Sequence, residues 1–134
     1  MNESSDPAVA NQALCADLSL LFMLFIARLT EVVARTGGKP LADQFGQQLN
    51  HYAQQHGWSV LTGLADLTEL KHYIPNVDAR MLSSVYSSYA QYAQKLAGQI
   101  LGTHMLKSTM ATLLSDLPPQ AAQVNVQYGI IRST

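Results

Sequence analysis

The chain has little charge. Of its 134 residues, 13% are Asp, Glu, Lys or Arg, and 48% are hydrophobic, whereas a soluble domain typically has ~25% charged residues. A weakly charged surface opposes association only weakly, so this composition favours a protein interface in addition to a core. The eight Lys and Arg residues are scattered along the chain. Because binding to a phosphate backbone needs clustered cations, we expect no nucleic-acid partner.

Cysteine is scarce, and neither a secretory signal nor an apolar run long enough to cross a bilayer is predicted. Cys15 is the single cysteine, which excludes an internal disulfide and favours a cytoplasmic protein. The first twelve residues contain acidic but no basic side chains, so they do not predict a secretory signal. The most apolar run, residues 18–27, ends at Arg28 and is half the ~20 residues needed to cross a bilayer. We therefore expect no membrane span.

No arrangement typical of catalysis is visible. The carboxylates show no paired spacing, and Gly37-Gly38-Lys39 is a helix stop rather than a phosphate-binding loop. His51 and His56 are five positions apart, or ~140° around a helix, which does not suit a shared metal. The sequence therefore predicts a protein that is not an enzyme and has no metal and no cofactor.

What is present is helical periodicity. A first helix is predicted from about residue 7 or 12 to Arg35, ending at Gly37-Gly38, and a second from Pro40 to about His56. A short helix is expected around residues 65–73. The segment from Ala79 to about residue 116 predicts one long helix or two nearly collinear ones. Gly98 and Gly102 are the expected places for a break or for close approach of another helix.

The predicted fold class is all-α, an antiparallel bundle of about four to five helices in residues 1–117. Residues 118–134 form a short irregular or strand-like C-terminal tail, because Val124, Val126, Tyr128 and Ile130 alternate. Setting Gly37 against Gly102 also aligns apolar residues that follow each glycine. This alignment raises the hypothesis of an internal repeat.

The first predicted helix is apolar on every side. Such a helix must be covered on every side, either as the central helix of the bundle or by another subunit. The tyrosines of the long helix, spaced three apart and interleaved with serine, are typical of an interface with a wet rim. The candidate interface residues are Phe22, Phe25, Ile26, Tyr86, Tyr89 and Tyr92.

His104 is predicted to lie on the exposed face of its helix, opposite Leu106, Met110 and Leu113. The stretch from His104 to Ser108, with Leu at +2, Lys at +3 and a small residue at +4, resembles the His-x-Leu-Lys-Gly/Ser signature of histidine-phosphotransfer domains. The resemblance implies that His104 accepts phosphate, that Lys107 assists electrostatically and that Ser108 leaves room for docking. The family continues with a long helical hairpin after the histidine, whereas here Pro118 follows closely.

The sequence therefore favours a non-enzymatic interaction or regulatory module, sensory or dimerising, in prokaryotic signalling. We expect a homodimer, with a further protein partner as an option. Two alternatives stay open, namely phosphotransfer through His104 and binding of a small apolar ligand or haem between helices.

Overall fold

The computed structural model describes residues 7–57 and 78–131, and within these residues it is helical without strands. Helix α1 spans Pro7–Gln55, α2 spans Ala79–Leu101, α3 spans Thr103–Ser115 and α4 spans Pro119–Tyr128. The predicted all-α class is therefore confirmed. The helix expected around residues 65–73 lies outside the described residues.

Helix α1 reverses direction at Gly38. This glycine has φ 81° and ψ 179°, a backbone region that is essentially restricted to glycine. The Tyr89 ring lies 5.0 Å from the Phe22 ring and 6.0 Å from the Tyr52 ring, whereas an unbroken helix would hold residues 22 and 52 about 45 Å apart. α1 is therefore a hairpin of two arms, an N-terminal arm before Gly38 and a C-terminal arm after it. The predicted stop at Gly37-Gly38 is confirmed.

Helices α2 and α3 form a second hairpin around Gly102. Its φ of 87° and ψ of 159° resemble those of Gly38 and again suit glycine alone. One turn earlier, a Cβ on Gly98 would lie 3.1 Å from Cδ2 of Leu106, so the missing side chain lets α3 fold back closely on α2. The sequence predicted a break or a close approach at these two glycines, and the structure shows one of each. The expectation of one long helix or two nearly collinear helices from Ala79 to about residue 116 is wrong, because α3 folds back on α2 at Gly102 and brings Met110 beside Gln94.

The first arm of α1 and α2 run side by side in the same direction. Near their starts, Oδ1 of Asn11 accepts a hydrogen bond of 2.7 Å from the backbone N–H of Ala79. Further along, the ring of Phe22 stacks on that of Tyr86 at 4.2 Å. α3 returns along the N-terminal arm, and Nη2 of Arg28 lies 3.4 Å from Oδ2 of Asp116 near its end. The core lies where these helices meet.

The two hairpins are an internal repeat. Gly38 and Gly102 are 64 positions apart, and each buried residue of α1 from Cys15 to Val33 has a buried counterpart 64 positions later. The pairs are Cys15/Ala79, Leu18/Leu82, Ser19/Ser83, Leu21/Val85, Phe22/Tyr86, Phe25/Tyr89, Ile26/Ala90, Leu29/Ala93 and Val33/Ala97. The predicted alignment of Gly37 with Gly102 is thus off by one residue.

Contacts between the hairpins show that the repeat is related by an approximate two-fold rotation. In a two-fold arrangement, a contact between i and j implies a contact between their counterparts. Arg28 and Asp116 are paired, and their counterparts, Tyr92 and Tyr52, stack at 4.2 Å. Phe22 stacks on its own counterpart, Tyr86, so these two rings lie close to the pseudo-two-fold axis.

The expectation of a strand-like tail is wrong, because residues Pro119–Tyr128 form α4. Proline suits the first position of a helix, and Gly129 ends the helix in the left-handed conformation, with φ 63°. After the helix, the side chain of Asn125 accepts a hydrogen bond from the Ile131 amide and donates one to its carbonyl. These bonds hold Ile130 and Ile131 in the core, where both are buried. α4 packs against α1.

Candidate interaction surface

Five of the six residues predicted to form an interface lie in the core of a single chain. Phe22, Phe25, Ile26, Tyr86 and Tyr89 are all at most 4% exposed, and Tyr92 is half-buried against Tyr52. A second copy cannot reach the five buried side chains while the chain keeps this fold. Their assignment to an interface is therefore replaced by an assignment to the core. The sequence could not separate these roles, because α1 is apolar on every face.

The buried tyrosines are neutral, and the Tyr86 hydroxyl is hydrogen-bonded inside the core. The Ser19 hydroxyl donates to the Cys15 carbonyl oxygen at 2.9 Å. Because this bond uses its only proton, the Tyr86 hydroxyl, 3.2 Å away, donates to Oγ of Ser19. Burial raises the pKa of Tyr86 to about 12. The pKa of Tyr89 is also raised to about 12, mainly by burial and to a smaller extent by the neighbouring Tyr92. Both hydroxyls therefore stay protonated at neutral pH.

The N-terminal arm of α1 has a second apolar face, which lies outside the buried core. We call this the α1 face. Its residues follow the alternating three-and-four spacing of a helix-packing seam, and each is half-buried or exposed. They are Ala13, Ala16, Leu20, Met23, Ala27, Thr30 and Ala34. None of them carries a charge. The sequence contained this signal, since Leu20 and Met23 lie off the stripe of the larger buried residues.

The equivalent face of α2, at the same place in the repeat, is polar. The counterparts of Ala16, Leu20, Met23, Ala27 and Thr30 are Arg80, Ser84, Ser87, Gln91 and Gln94. Met81, which is 47% exposed, is an apolar neighbour of this polar set. The pseudo-symmetry of the repeat alone therefore does not explain why the α1 face is apolar.

A groove borders the α1 face. Its cavity of about 290 Å³ lies between the N-terminal arm of α1 and the end of α3. The α1 wall consists of Leu24, Ala27, Arg28 and Glu31, and the opposite wall of Leu113, Asp116, Leu117 and Pro118. Apolar side chains line most of the groove, and the Arg28–Asp116 ion pair lies within it. Ala27 belongs to both the groove and the α1 face, so the two form one continuous surface.

α1 is also long enough and has a high enough mean hydropathy to qualify as a candidate membrane-spanning helix. Between Ala10 and Gln55 it contains an 18-residue segment of mean hydropathy 1.8, and 44% of that segment is buried within the chain. The core helix of a soluble protein passes the same test, so the absence of a membrane span stays a prediction.

His104, Lys107 and Ser108 lie together on the exposed side of α3, as predicted. Leu106, Met110 and Leu113 are buried on the other side. His104 occupies the first turn of a helix that ends at Ser115, whereas the phosphotransfer resemblance implies a long hairpin beyond the histidine. His51 and His56 are exposed, and His72 lies outside the described residues. In the described part of the chain, no three His, Cys, Asp or Glu side chains form a group that could hold a metal ion.

Comparison with known proteins gives no match to a family model, to a curated protein or to a solved structure.

Proposed function

We propose that this protein is a helical interaction module of regulatory type that forms homodimers through the α1 face. The observation that carries the proposal is the contrast between the apolar α1 face and its polar equivalent on α2. A partly exposed apolar face with a groove beside it is typical of an interaction site. The low charge of the chain supports the same function. No catalytic role is proposed.

The test compares one lysine substitution with its counterpart in the repeat. Ala27 and Gln91 are exposed, occur in mid-helix and correspond to each other. We expect the light-scattering mass of the wild type to rise with concentration toward twice the 14.6 kDa of one chain. Ala27→Lys should raise the dissociation constant more than about tenfold, since an unpaired charge would be buried. Gln91→Lys should leave it unchanged.

Two results would contradict this proposal. One is a wild-type mass that stays at 14.6 kDa up to millimolar concentration. The other is an equal effect of both lysine variants, which would locate the contact away from the α1 face. Circular dichroism spectra of all three proteins show whether the helices are intact.

A second candidate function is phosphotransfer through His104. The joint exposure of His104, Lys107 and Ser108 on one face of α3 favours it, because a receiver domain must reach the imidazole. Incubation with a small-molecule phosphodonor should then give an acid-labile phosphate on the wild type. His104→Gln should carry none. Absence of labelling on the wild type, or equal labelling of both proteins, would exclude this function.

A further inference from the structure

We propose that the groove between the N-terminal arm of α1 and the end of α3 binds one small, neutral aromatic ring that carries a hydroxyl group, a ligand of the phenol class. Leu113 and Leu117 supply its apolar wall, and the Arg28–Asp116 ion pair lies at its rim. The inference comes from comparing the groove with its equivalent in the internal repeat. It does not depend on the proposed homodimer.

The equivalent junction, between α2 and the C-terminal arm of α1, holds two aromatic rings. The counterparts of Arg28 and Asp116 at the spacing of the repeat are Tyr92 and Tyr52. Their rings stack with centroids 4.2 Å apart and planes 9° from parallel. This position in the fold therefore accommodates aromatic rings packed face to face. In the groove, the two positions carry an ion pair instead, and a cavity lies beside it.

The apolar wall of the groove is less covered than its equivalent. Leu113 and its counterpart Leu49 are both buried. One turn later, Ala53 is 2% exposed, whereas its counterpart Leu117 is half-buried and lines the groove. Aliphatic surface at this level is therefore open in the groove and closed at the equivalent junction. A ring that covers it removes apolar area from water, which is favourable.

The size of the groove suits a single ring. Its volume is about 290 Å³, and a cavity of about 150 Å³ with aliphatic walls is enough to hold benzene. Pockets for larger ligands extend from ~300 to 1,000 Å³. The groove therefore has room for one ring with a small substituent rather than for a large cofactor.

The ion pair at the rim favours an aromatic ring with a hydroxyl group. Nη2 of Arg28 and Oδ2 of Asp116 are 3.4 Å apart, and the two side chains are 35% and 57% exposed. An exposed pair of this kind contributes little to stability, so a ligand can cover or separate it at low cost. The guanidinium attracts the face of an aromatic ring, and the carboxylate accepts a hydrogen bond from a hydroxyl. An aliphatic ring lacks the first of these contacts.

The charges around the groove favour a neutral ligand. Arg28 is paired with Asp116, and Glu31 on the same wall is paired with Arg35. Two guanidinium groups thus balance two carboxylates. A charged ligand would lose hydration without gaining an unpaired partner of opposite sign.

Titration with phenol, followed by NMR of the backbone amides of the full chain, tests the site. We expect saturable shifts concentrated at Leu24, Ala27, Leu113 and Leu117, with a dissociation constant of about 1 mM for a ligand this small. Cyclohexanol keeps the ring size and the hydroxyl but is not aromatic, and benzene lacks the hydroxyl. Each should bind at least about threefold more weakly than phenol.

A variant that copies the equivalent junction into the groove tests the location. Arg28→Tyr/Asp116→Tyr supplies both rings of the stack from the chain itself, so the dissociation constant for phenol should rise more than about tenfold. Arg80→Tyr/Ser84→Tyr adds two tyrosines at exposed positions of α2 and should leave phenol binding unchanged. Circular dichroism shows whether the helices of both variants are intact.

Asp116→Ala tests the hydroxyl contact with less change to the groove. It removes the acceptor at the rim and leaves the apolar wall in place. Phenol should bind about threefold more weakly to this variant. Benzene, which makes no such hydrogen bond, should bind as it does to the wild type.

Three results would overturn this inference. The first is a set of shifts that does not saturate or that spreads over the whole chain. The second is cyclohexanol or benzene binding as tightly as phenol, which would remove the chemical class. The third is unchanged phenol binding by folded Arg28→Tyr/Asp116→Tyr, which would move the site elsewhere. None of these results uses the light-scattering mass, so the groove and the homodimer are tested separately.

Discussion

Replacing Phe22 with alanine is expected to lower the free energy of unfolding by about 3–5 kcal/mol, as is usual for a buried phenylalanine. Its ring is 1% exposed, stacks on Tyr86 at 4.2 Å and meets the edge of Tyr89 at 5.0 Å. It therefore joins the two hairpins close to their pseudo-two-fold axis. A domain has only about 5–15 kcal/mol of stability, so this one substitution removes a large part of it.

Urea denaturation followed by circular dichroism measures this effect. Phe22→Leu is the graded control, because it keeps an apolar side chain and should lose less. Val126→Ala is the surface control, since Val126 is 86% exposed and its truncation should change stability by less than about 0.5 kcal/mol. A loss below 1 kcal/mol for Phe22→Ala would contradict the described core.

Gly38→Ala and Gly102→Ala should each destabilise the protein by about 1–3 kcal/mol, because both glycines have positive φ with extended ψ, a conformation that costs other residues this much. Space is not the reason, since a Cβ on Gly102 would meet nothing within 4 Å. The loss of stability comes from the backbone conformation that alanine would have to adopt. The two substitutions should have similar effects, because both hairpins turn in the same way.

Gly46→Ala is the matched control for both substitutions. Gly46 lies inside the C-terminal arm of α1, and a Cβ there would also meet nothing within 4 Å. Alanine should stabilise this helix by about 0.5–1 kcal/mol. In thermal denaturation, we therefore expect the melting temperature to fall for Gly38→Ala and Gly102→Ala and to rise for Gly46→Ala. Three shifts in the same direction would contradict the assignment of the turns to Gly38 and Gly102.

Local sequence signals predicted where the helices end. Gly37-Gly38 and Gly102 were recognised as stops or breaks because glycine accepts backbone that other residues avoid. At the start of α2, the Asp78 carboxylate accepts a hydrogen bond from the Arg80 amide at 2.7 Å, as is typical of an N-cap. The exposed side of α3 with His104 also followed from helical periodicity alone. Each of these features depends on neighbours within a few residues.

Features that depend on distant partners were not predictable in the same way. Periodicity showed that α1 is apolar all round, but only the packing of α2 shows that Phe22 faces inward and Leu20 outward. The tail was misread because valines at alternate positions outweighed Pro119 and Gly129, the start and stop signals of α4. The internal repeat was found one residue out of register, because few identical residues mark it.

The repeat also sets how many partners one molecule can hold. Two hairpins related by a two-fold rotation place the N-terminal arm of α1 and α2 in equivalent positions, so two apolar faces would make the molecule bivalent. A bivalent molecule can extend into an open chain rather than close as a pair. Arg80, Ser84 and Gln91 make the equivalent face of α2 polar, so it does not offer a second apolar contact surface. If the α1 face forms the proposed homodimer, the divergence of the two halves limits each molecule to one such contact, and assembly ends at the dimer.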